Sequence, residues 1–402
     1  MTPPWFGASS TSSVAKASSL ATVHLREGRE RPLQRGHPWV LSGSVDHVEG
    51  DPESGDVVRV EGAHGERLGV GDYDPDSQIR VRMHGFGPTD ADPDEDWLLA
   101  RIEAALAWRA THPALRDTDA IRLIHAEGDG LPGLSVDRYA DWLVLKLTTP
   151  AMWRRAQRIG EILQPLTGAQ GAWLRGDTSV QTERALFGSV ADEPVQIHER
   201  GRAYWVDLRH GQKTGFYLDQ RDARDLFRRL AAPDVRALDL FSFTGGFALA
   251  AQQGGAREVV AVESSLPAHK LLCRNAPGVE AVLGDVPEFL RKDERRFDLI
   301  ALDPPPFARR KRDVSAACRA YKDLHLWALR RAQPGAHLLS FSCSHHVGAE
   351  LFAKVVLSAA LDAGAELQVL GTLGAPPDHP LALTHPQGAY LNGLLLRVVE
   401  PA

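Results

Sequence analysis

Four carboxylates and one cysteine stand where they could assemble a group-transfer site: Asp239, Glu263, Asp285, Asp303 and Cys343. Each belongs to, or closely follows, a short apolar run of strand length: 237–241, 259–262, 279–283, 297–302 and 337–341. Open α/β sheets bind ligands beyond the carboxyl ends of their strands, so these groups are expected to share one crevice. After the first run the chain turns at Thr244-Gly245-Gly246, continues as a small-residue helix and stops at Gly254-Gly255. This turn lacks the G-x-G-x-x-G that lets backbone and helix N-terminus approach a pyrophosphate. A carboxylate beside the ligand suits a cation better. S-adenosylmethionine (SAM) answers that description, with a sulfonium, an ammonium and a ribose diol for Glu263 to hold. Asp285 could accept from the adenine amino group, and Phe241, Ser264 and Val286 flank these acids. The alternative is a structural βαβ unit whose glycines only serve the turn.

The same strand ends suggest a second substrate. In Asp303-Pro304-Pro305-Pro306-Phe307, successive prolines fix the backbone and remove donors, presenting Asp303 rigidly to something planar. Phe307 could stack on a base, and Arg309, Arg310, Lys311 and Arg312 follow where a nucleic-acid backbone would cross. Cys343 discriminates between chemistries. Carbon-5 of a pyrimidine attacks a methyl sulfonium only after a thiolate adds at carbon-6, whereas nitrogen methylation needs no cysteine. A buried packing role, half a metal site or a hydrolase dyad with His345-His346 are the rival readings of Cys343.

Elements must hold these groups. The stretch His210–Arg224 is dense in Lys, Thr, Tyr, Gln and Arg and is expected to lid the pocket with Lys213, Thr214, Gly215, Phe216 and Tyr217; a P-loop is excluded by its spacing. Residues 1–20 read as a disordered tail. Short strands separated by Gly, Pro and Asp turns then predict a β-rich domain over 21–96, with Arg29, Arg31 and Arg35 in a positive loop suited to phosphates. A helix from Trp97 and several strands predict a central α+β domain over 97–194, with no catalytic constellation. Residues 195–402 carry the strand–helix alternation of a doubly wound domain.

The 402-residue chain has ample material for more than one core. Its three cysteines form no CxxC pair, so no zinc ribbon or disulfide framework is expected, and no metal site. No apolar run approaches the roughly 18 residues needed to cross a bilayer, so a cytoplasmic protein without membrane partners is expected. The net charge of −6 argues against indiscriminate coating of nucleic acid but permits a local basic face.

Five motifs in order carry a family resemblance: His210 to Arg221, Phe241-Ser-Phe-Thr-Gly-Gly-Phe247, Asp303-Pro-Pro-x-Phe307, Ala317-Cys-Arg-Ala-Tyr-Lys-Asp323 and Phe341-Ser-Cys-Ser344. The chain resembles the PUA-domain-containing ribosomal RNA cytosine-C5 methyltransferases from about residue 22 to its end. The resemblance implies an N-terminal PUA RNA-binding domain, a central α+β domain and a Rossmann-like SAM domain. It also implies 23S ribosomal RNA as substrate, and dimers are common in such families. By motif position Cys343 matches the family's cysteine and Asp303 its acid. Pro306, often lysine in the family, and His345-His346 depart from the pattern, and the region 270–285 is short.

The expected reaction is methylation of cytosine carbon-5 through a Cys343 adduct. Pro304, Pro305, Phe307, Arg309, Arg310 and Lys311 would hold RNA, and Asp378 or His379 is the nearest candidate for the proton-abstracting base. A base amino-group methyltransferase and a non-catalytic RNA-binding assembly factor remain alternatives.

Overall fold

The computed structural model describes residues 20–88, 95–176, 183–308 and 310–400. The tail expected over 1–20 thus lies almost wholly outside the described residues, as does Arg309. Contacts divide the chain into two compact units, between Asp92 and Pro93.

In the first unit, six strands, β1 (Thr22–Leu25), β2 (Trp39–Leu41), β3 (Val45–Glu49), β4 (Val57–Glu61), β5 (Arg67–Tyr73) and β6 (Ile79–Phe86), form one sheet in the order β2-β6-β5-β4-β1-β3. Alternating apolar residues such as Val23, Leu25, Val58, Val60, Val81 and Met83 fill its core. The expected loop of arginines contains a short helix, α1 (Arg31–Gln34), because Pro32 suits a first helical turn. Arg29, Arg31 and Arg35 are exposed there.

The second unit begins with α2 (Glu95–Thr111). A five-stranded sheet follows, ordered β11-β10-β9-β8-β7, from β7 (Ala120–His125), β8 (Leu134–Tyr139), β9 (Trp142–Leu147), β10 (Gly171–Arg175) and β11 (Arg184–Gly188). Helices α3 (Pro150–Arg154) and α4 (Ala156–Thr167) pack on it, and the hairpin β12 (Val195–Glu199) with β13 (Arg202–Val206) leads onward.

The last sheet has seven strands, ordered β16-β15-β14-β17-β18-β20-β19: β14 (Arg236–Leu240), β15 (Glu258–Glu263), β16 (Glu280–Leu283), β17 (Phe297–Leu302), β18 (Ala332–Ser342), β19 (Glu366–Leu373) and β20 (Asn392–Glu400). Six run in one direction, and β20 alone opposes them, antiparallel between β18 and β19. Helices α5 (Arg221–Leu230), α6 (Gly246–Gln253), α7 (Leu266–Asn275), α8 (Val286–Lys292), α9 (Val314–Arg330) and α10 (Ala349–Ala363) connect and cover them. Residues two apart share a face, so Ala237, Ala261, Leu299 and Leu339 enter one core and Leu238, Val260, Ile300 and Leu338 the other. Burial on both faces explains the continuous apolar runs.

The first of these cores also holds Ala120, Tyr139 and Val144 of the five-stranded sheet. The expected central domain therefore lies in one compact unit with the seven-stranded sheet, since those residues turn apolar side chains toward it.

Candidate functional site

A cavity of about 300 Å³ opens beyond the carboxyl ends of β14, β15, β17 and β18. Its floor is the turn after β14, where Phe241 and Phe243 adopt left-handed φ values of 61° and 49° and Gly245 one of 84°. Non-glycine residues pay for such backbone in stability, and it persists only where surroundings enforce it. Asp239 is one enforcer: buried beneath the turn, it accepts from Ser242 Oγ at 2.6 Å and from the Ala248 N–H at 2.9 Å. Glu263 is another, accepting from the Phe243 and Ser265 N–H groups at 2.8 and 2.6 Å. A Cβ at Gly245 would stand 2.6 Å from Leu272 Cδ1, so helix α7 keeps that position free of a side chain.

One wall is the segment before α5. Lys213, itself at φ 52°, donates to Asp219 Oδ2 at 2.6 Å and lies 4.2 Å from the Tyr217 ring centre. Tyr390 OH donates to the same oxygen at 2.8 Å. The segment is clamped from behind: Thr214 Oγ1 donates to Asp137 at 2.5 Å and lies 2.8 Å from Tyr139 OH. The five-stranded sheet, which carries no reactive group in the cavity, thus sets the position of this wall.

The opposite wall carries the candidate chemistry. Asp303 accepts from Gln220 Nε2 at 2.9 Å, and Pro304, Pro305 and Pro306 follow along the cavity. Cys343 lines it too, with Sγ 3.7 Å from the Pro304 carbonyl oxygen. Ser344 Oγ accepts the N–H groups of Phe307 and Ala308 at 3.0 and 3.2 Å, fixing the proline segment against the cysteine segment. Burial and then the charge of Asp219 push the Asp303 carboxyl up to about 7. Burial and then Asp303 push the Cys343 thiol up to about 12.

Several expected site residues lie elsewhere. Asp239, pushed up to about 6 mainly by burial, holds the turn rather than lining the cavity. Asp285 caps α8 by accepting the Glu288 N–H at 2.9 Å, and Val286 is core. Thr214 and Gly215 support the wall without lining it. Phe307 packs on Tyr321, ring centres 4.8 Å apart, so it is no stacking platform in the cavity. Arg310 and Lys311 are exposed at a short helical turn after the prolines. Asp378 and His379 are buried outside the cavity, with Asp378 held by Arg221 at 2.9 and 3.0 Å, because a buried carboxylate needs a cation. Cys318 sits on α9, half-buried.

Sequence reasoning missed Asp219, Gln220, Phe243 and Tyr390 as lining groups. Membership of the motifs 210–221 and 241–247 could have flagged Asp219, Gln220 and Phe243. Three lining residues each carry a buried polar atom without a partner: Asp219 Oδ1, Gln220 Oε1 and Thr244 Oγ1. Acceptors, aromatic faces and two cations that are already paired, Lys213 with Asp219 and Arg224 with Glu199, suit a ligand bearing a cation and hydroxyls, not a polyphosphate.

Comparisons agree with this chemistry. Residues 122–397 match the family described as S-adenosylmethionine-dependent methyltransferase, and residues 23–86 match a PUA-like domain. The chain is 40% identical over 396 residues to ribosomal RNA large subunit methyltransferase I of Tolumonas auensis, covering 94% of this chain and 99% of that protein. To the protein of that name from Klebsiella pneumoniae it is 37% identical, covering 93% and 98%. Among solved structures, a protein provisionally assigned as a SAM-dependent methyltransferase from Streptococcus mutans has the same fold, with a TM-score of 0.80 at 20% identity over 94% of this chain and all of that one.

Proposed function

The chain belongs to the S-adenosylmethionine-dependent methyltransferases, alongside the ribosomal RNA large subunit methyltransferases I, and from that membership we propose that it methylates carbon-5 of a cytosine in 23S ribosomal RNA. One observation carries the choice of carbon over nitrogen: a cysteine lines the cavity beside Asp303 and the proline segment.

SAM suits this lining: we assign Glu263 to the ribose diol, and Phe243, Thr244 and Ser264 line the cavity with it. When bound there, SAM supplies an electrophilic methyl group. Everything else falls to the protein. The flipped base enters against Pro304–Pro306. Ionised Asp303 takes the Cys343 thiol proton, Sγ bonds to carbon-6, and the same proton passes from Asp303 to ring nitrogen N3, which makes carbon-5 nucleophilic. After transfer, ionised Asp303 takes the carbon-5 proton as the sulfur–carbon bond breaks, and the N3 proton returns to the departing thiolate, restoring the ring and the thiol. Asp303, able to exchange a proton near neutral pH, is the lining group suited to both proton steps.

This assignment has a signed pH dependence. With Asp303 near 7 and Cys343 near 12, the pair holds two protons below pH 7 and one between 7 and 12. The reactive arrangement, thiolate with protonated acid, has the one-proton count. Accordingly kcat/KM rises about tenfold per pH unit below 7 and is level above it. Asp303→Asn removes that inflection and lowers kcat about 100-fold. An unchanged profile in Asp303→Asn excludes Asp303 from proton transfer.

Glu263→Ala is expected to weaken SAM binding about 10- to 100-fold, as loss of a charge-assisted hydrogen bond predicts. Calorimetry with S-adenosylhomocysteine measures this, and undiminished affinity would move the ribose contact elsewhere. The reaction itself is tested with unmodified 23S ribosomal RNA, methyl-labelled SAM and nucleoside mass spectrometry. A 5-methylcytidine peak supports the reading, and a methylated purine overturns it.

A further inference from the structure

Asp219 is a buried carboxylate with one committed oxygen and one free. Its Oδ2 accepts from Lys213 Nζ and Tyr390 OH, at 2.6 and 2.8 Å. Its Oδ1 is buried without a partner in the wall of the cavity. A buried carboxylate oxygen with no donor is costly, so a bound molecule is expected to supply one. The question is which molecule.

Strand order answers it. Glu263 ends β15, whereas Cys343 follows β18, and β14 and β17 lie between them. Three strand spacings separate those ends by about 14 Å. Tyr390 belongs to the Cys343 side: Ser342 pairs with Asn392 across β18 and β20, so the residues preceding Asn392 adjoin those following Ser342. Through Tyr390, Asp219 is anchored at the methyl-accepting end of the cavity. The charge of Asp219 is felt there, raising both Asp303 and Cys343.

Resting on the cytosine-C5 reading above, we propose that the free oxygen of Asp219 accepts a hydrogen bond from the exocyclic amino group of the target cytosine and so excludes uracil. Cytosine presents an N4 donor where uracil presents an O4 acceptor. An ionised carboxylate accepts only, so it attracts the first and repels the second. Burial raises the Asp219 carboxyl, but Lys213, His379 and Tyr390 outweigh it and hold the group well below the usual range. Sites that bury an unmatched polar group reject the wrong partner strongly.

The surrounding donors make Asp219→Asn informative. Lys213 ammonium donates and never accepts, so the new amide oxygen must face it and the amide NH2 must take the place of Oδ1. The free group changes from acceptor to donor. Asp219→Ala offers neither.

The experiment uses the full-length chain and 23S transcripts carrying cytosine or uridine at the position where the wild type makes 5-methylcytidine. A wild type that makes no 5-methylcytidine overturns the reaction reading itself, before any variant is tested. The wild type should favour cytosine by about 100-fold or more. Asp219→Asn should produce 5-methyluridine and lower the cytosine-to-uracil ratio of kcat/KM by about 100-fold, with SAM affinity within threefold. Asp219→Ala should lose the preference without gaining uridine methylation. An unchanged ratio in Asp219→Asn, inactivity toward both transcripts with intact SAM binding, or a large loss of SAM affinity at constant ratio each overturns the proposal. The last outcome assigns the free oxygen to the cofactor's ammonium.

Discussion

Cys343→Ala lowers the rate of methyl transfer by about 10,000-fold or more, while the dissociation constant for SAM stays within twofold. The first half follows from chemistry: without a nucleophile at carbon-6, carbon-5 of cytosine has no electron pair to offer a sulfonium. Losses of this size accompany removal of nucleophiles elsewhere. The second half follows from position. Cys343 stands after β18, whereas Glu263, the candidate ribose ligand, ends β15, with two strands between. Cys343→Ser should be nearly as inactive, because a hydroxyl is a far poorer nucleophile than a thiolate. Raising the thiol to about 12 keeps it neutral until substrate arrives, which protects a cysteine that the cavity would otherwise expose as thiolate. Single-turnover kinetics with labelled SAM, paired with calorimetry, measures both quantities. Turnover near the wild-type rate would end the covalent reading and favour methylation of an exocyclic amine.

Much of this site was legible because buried parallel strands write themselves as apolar runs, and their ends are where ligands bind. Phe241, Thr244, Glu263, Asp303 and Cys343 all line the cavity. Two of the residues placed elsewhere share a physical cause: a carboxylate near a strand end has more than one use. Asp239 points down to Ser242 and Ala248, and Asp285 turns outward to cap a helix. Spacing places a residue near the crevice but not the direction of its side chain. Asp219 and Tyr390 were illegible as a pair because 171 positions separate them and only the antiparallel insertion of β20 joins them. The role of the five-stranded sheet was hidden likewise: Asp137 and Tyr139 act through Thr214, and no local pattern marks a side chain that positions another.

Asp378 gives the sharpest separation of structure from chemistry. It is fully buried, accepts twice from Arg221 at 2.9 and 3.0 Å and once from the Arg122 N–H at 2.9 Å, while Arg109 donates to its carbonyl oxygen at 2.9 Å. Arg221 is itself buried and also donates to the Ala120 carbonyl oxygen at 2.7 Å. These contacts tie the segment before β20 to α5 and β7. Neutralising Asp378 leaves the buried Arg221 guanidinium only Glu199 as counter-ion, 3.8 Å away and shared with Arg224 and Arg202, a loss of up to about 3–5 kcal/mol. Asp378→Asn should therefore unfold roughly 10 °C lower than the wild type. The pH dependence fixes the cause. Burial raises the Asp378 carboxyl, but hydrogen bonds and charges from His379 and Arg221 outweigh it and hold the group far below the usual range. Its stabilisation is thus present above about pH 4, where the unfolded carboxyl ionises, and is lost as the pH falls further. The gap between Asp378→Asn and wild type should narrow below pH 4. Turnover of the folded variant at low temperature decides the remaining question. A positioning carboxylate outside the cavity leaves kcat within about tenfold, whereas a proton-abstracting base would cost about 100-fold or more with no gain from stabilising conditions. A kcat loss of that size, with an unchanged melting midpoint, would restore Asp378 to the chemistry and remove it from the scaffold.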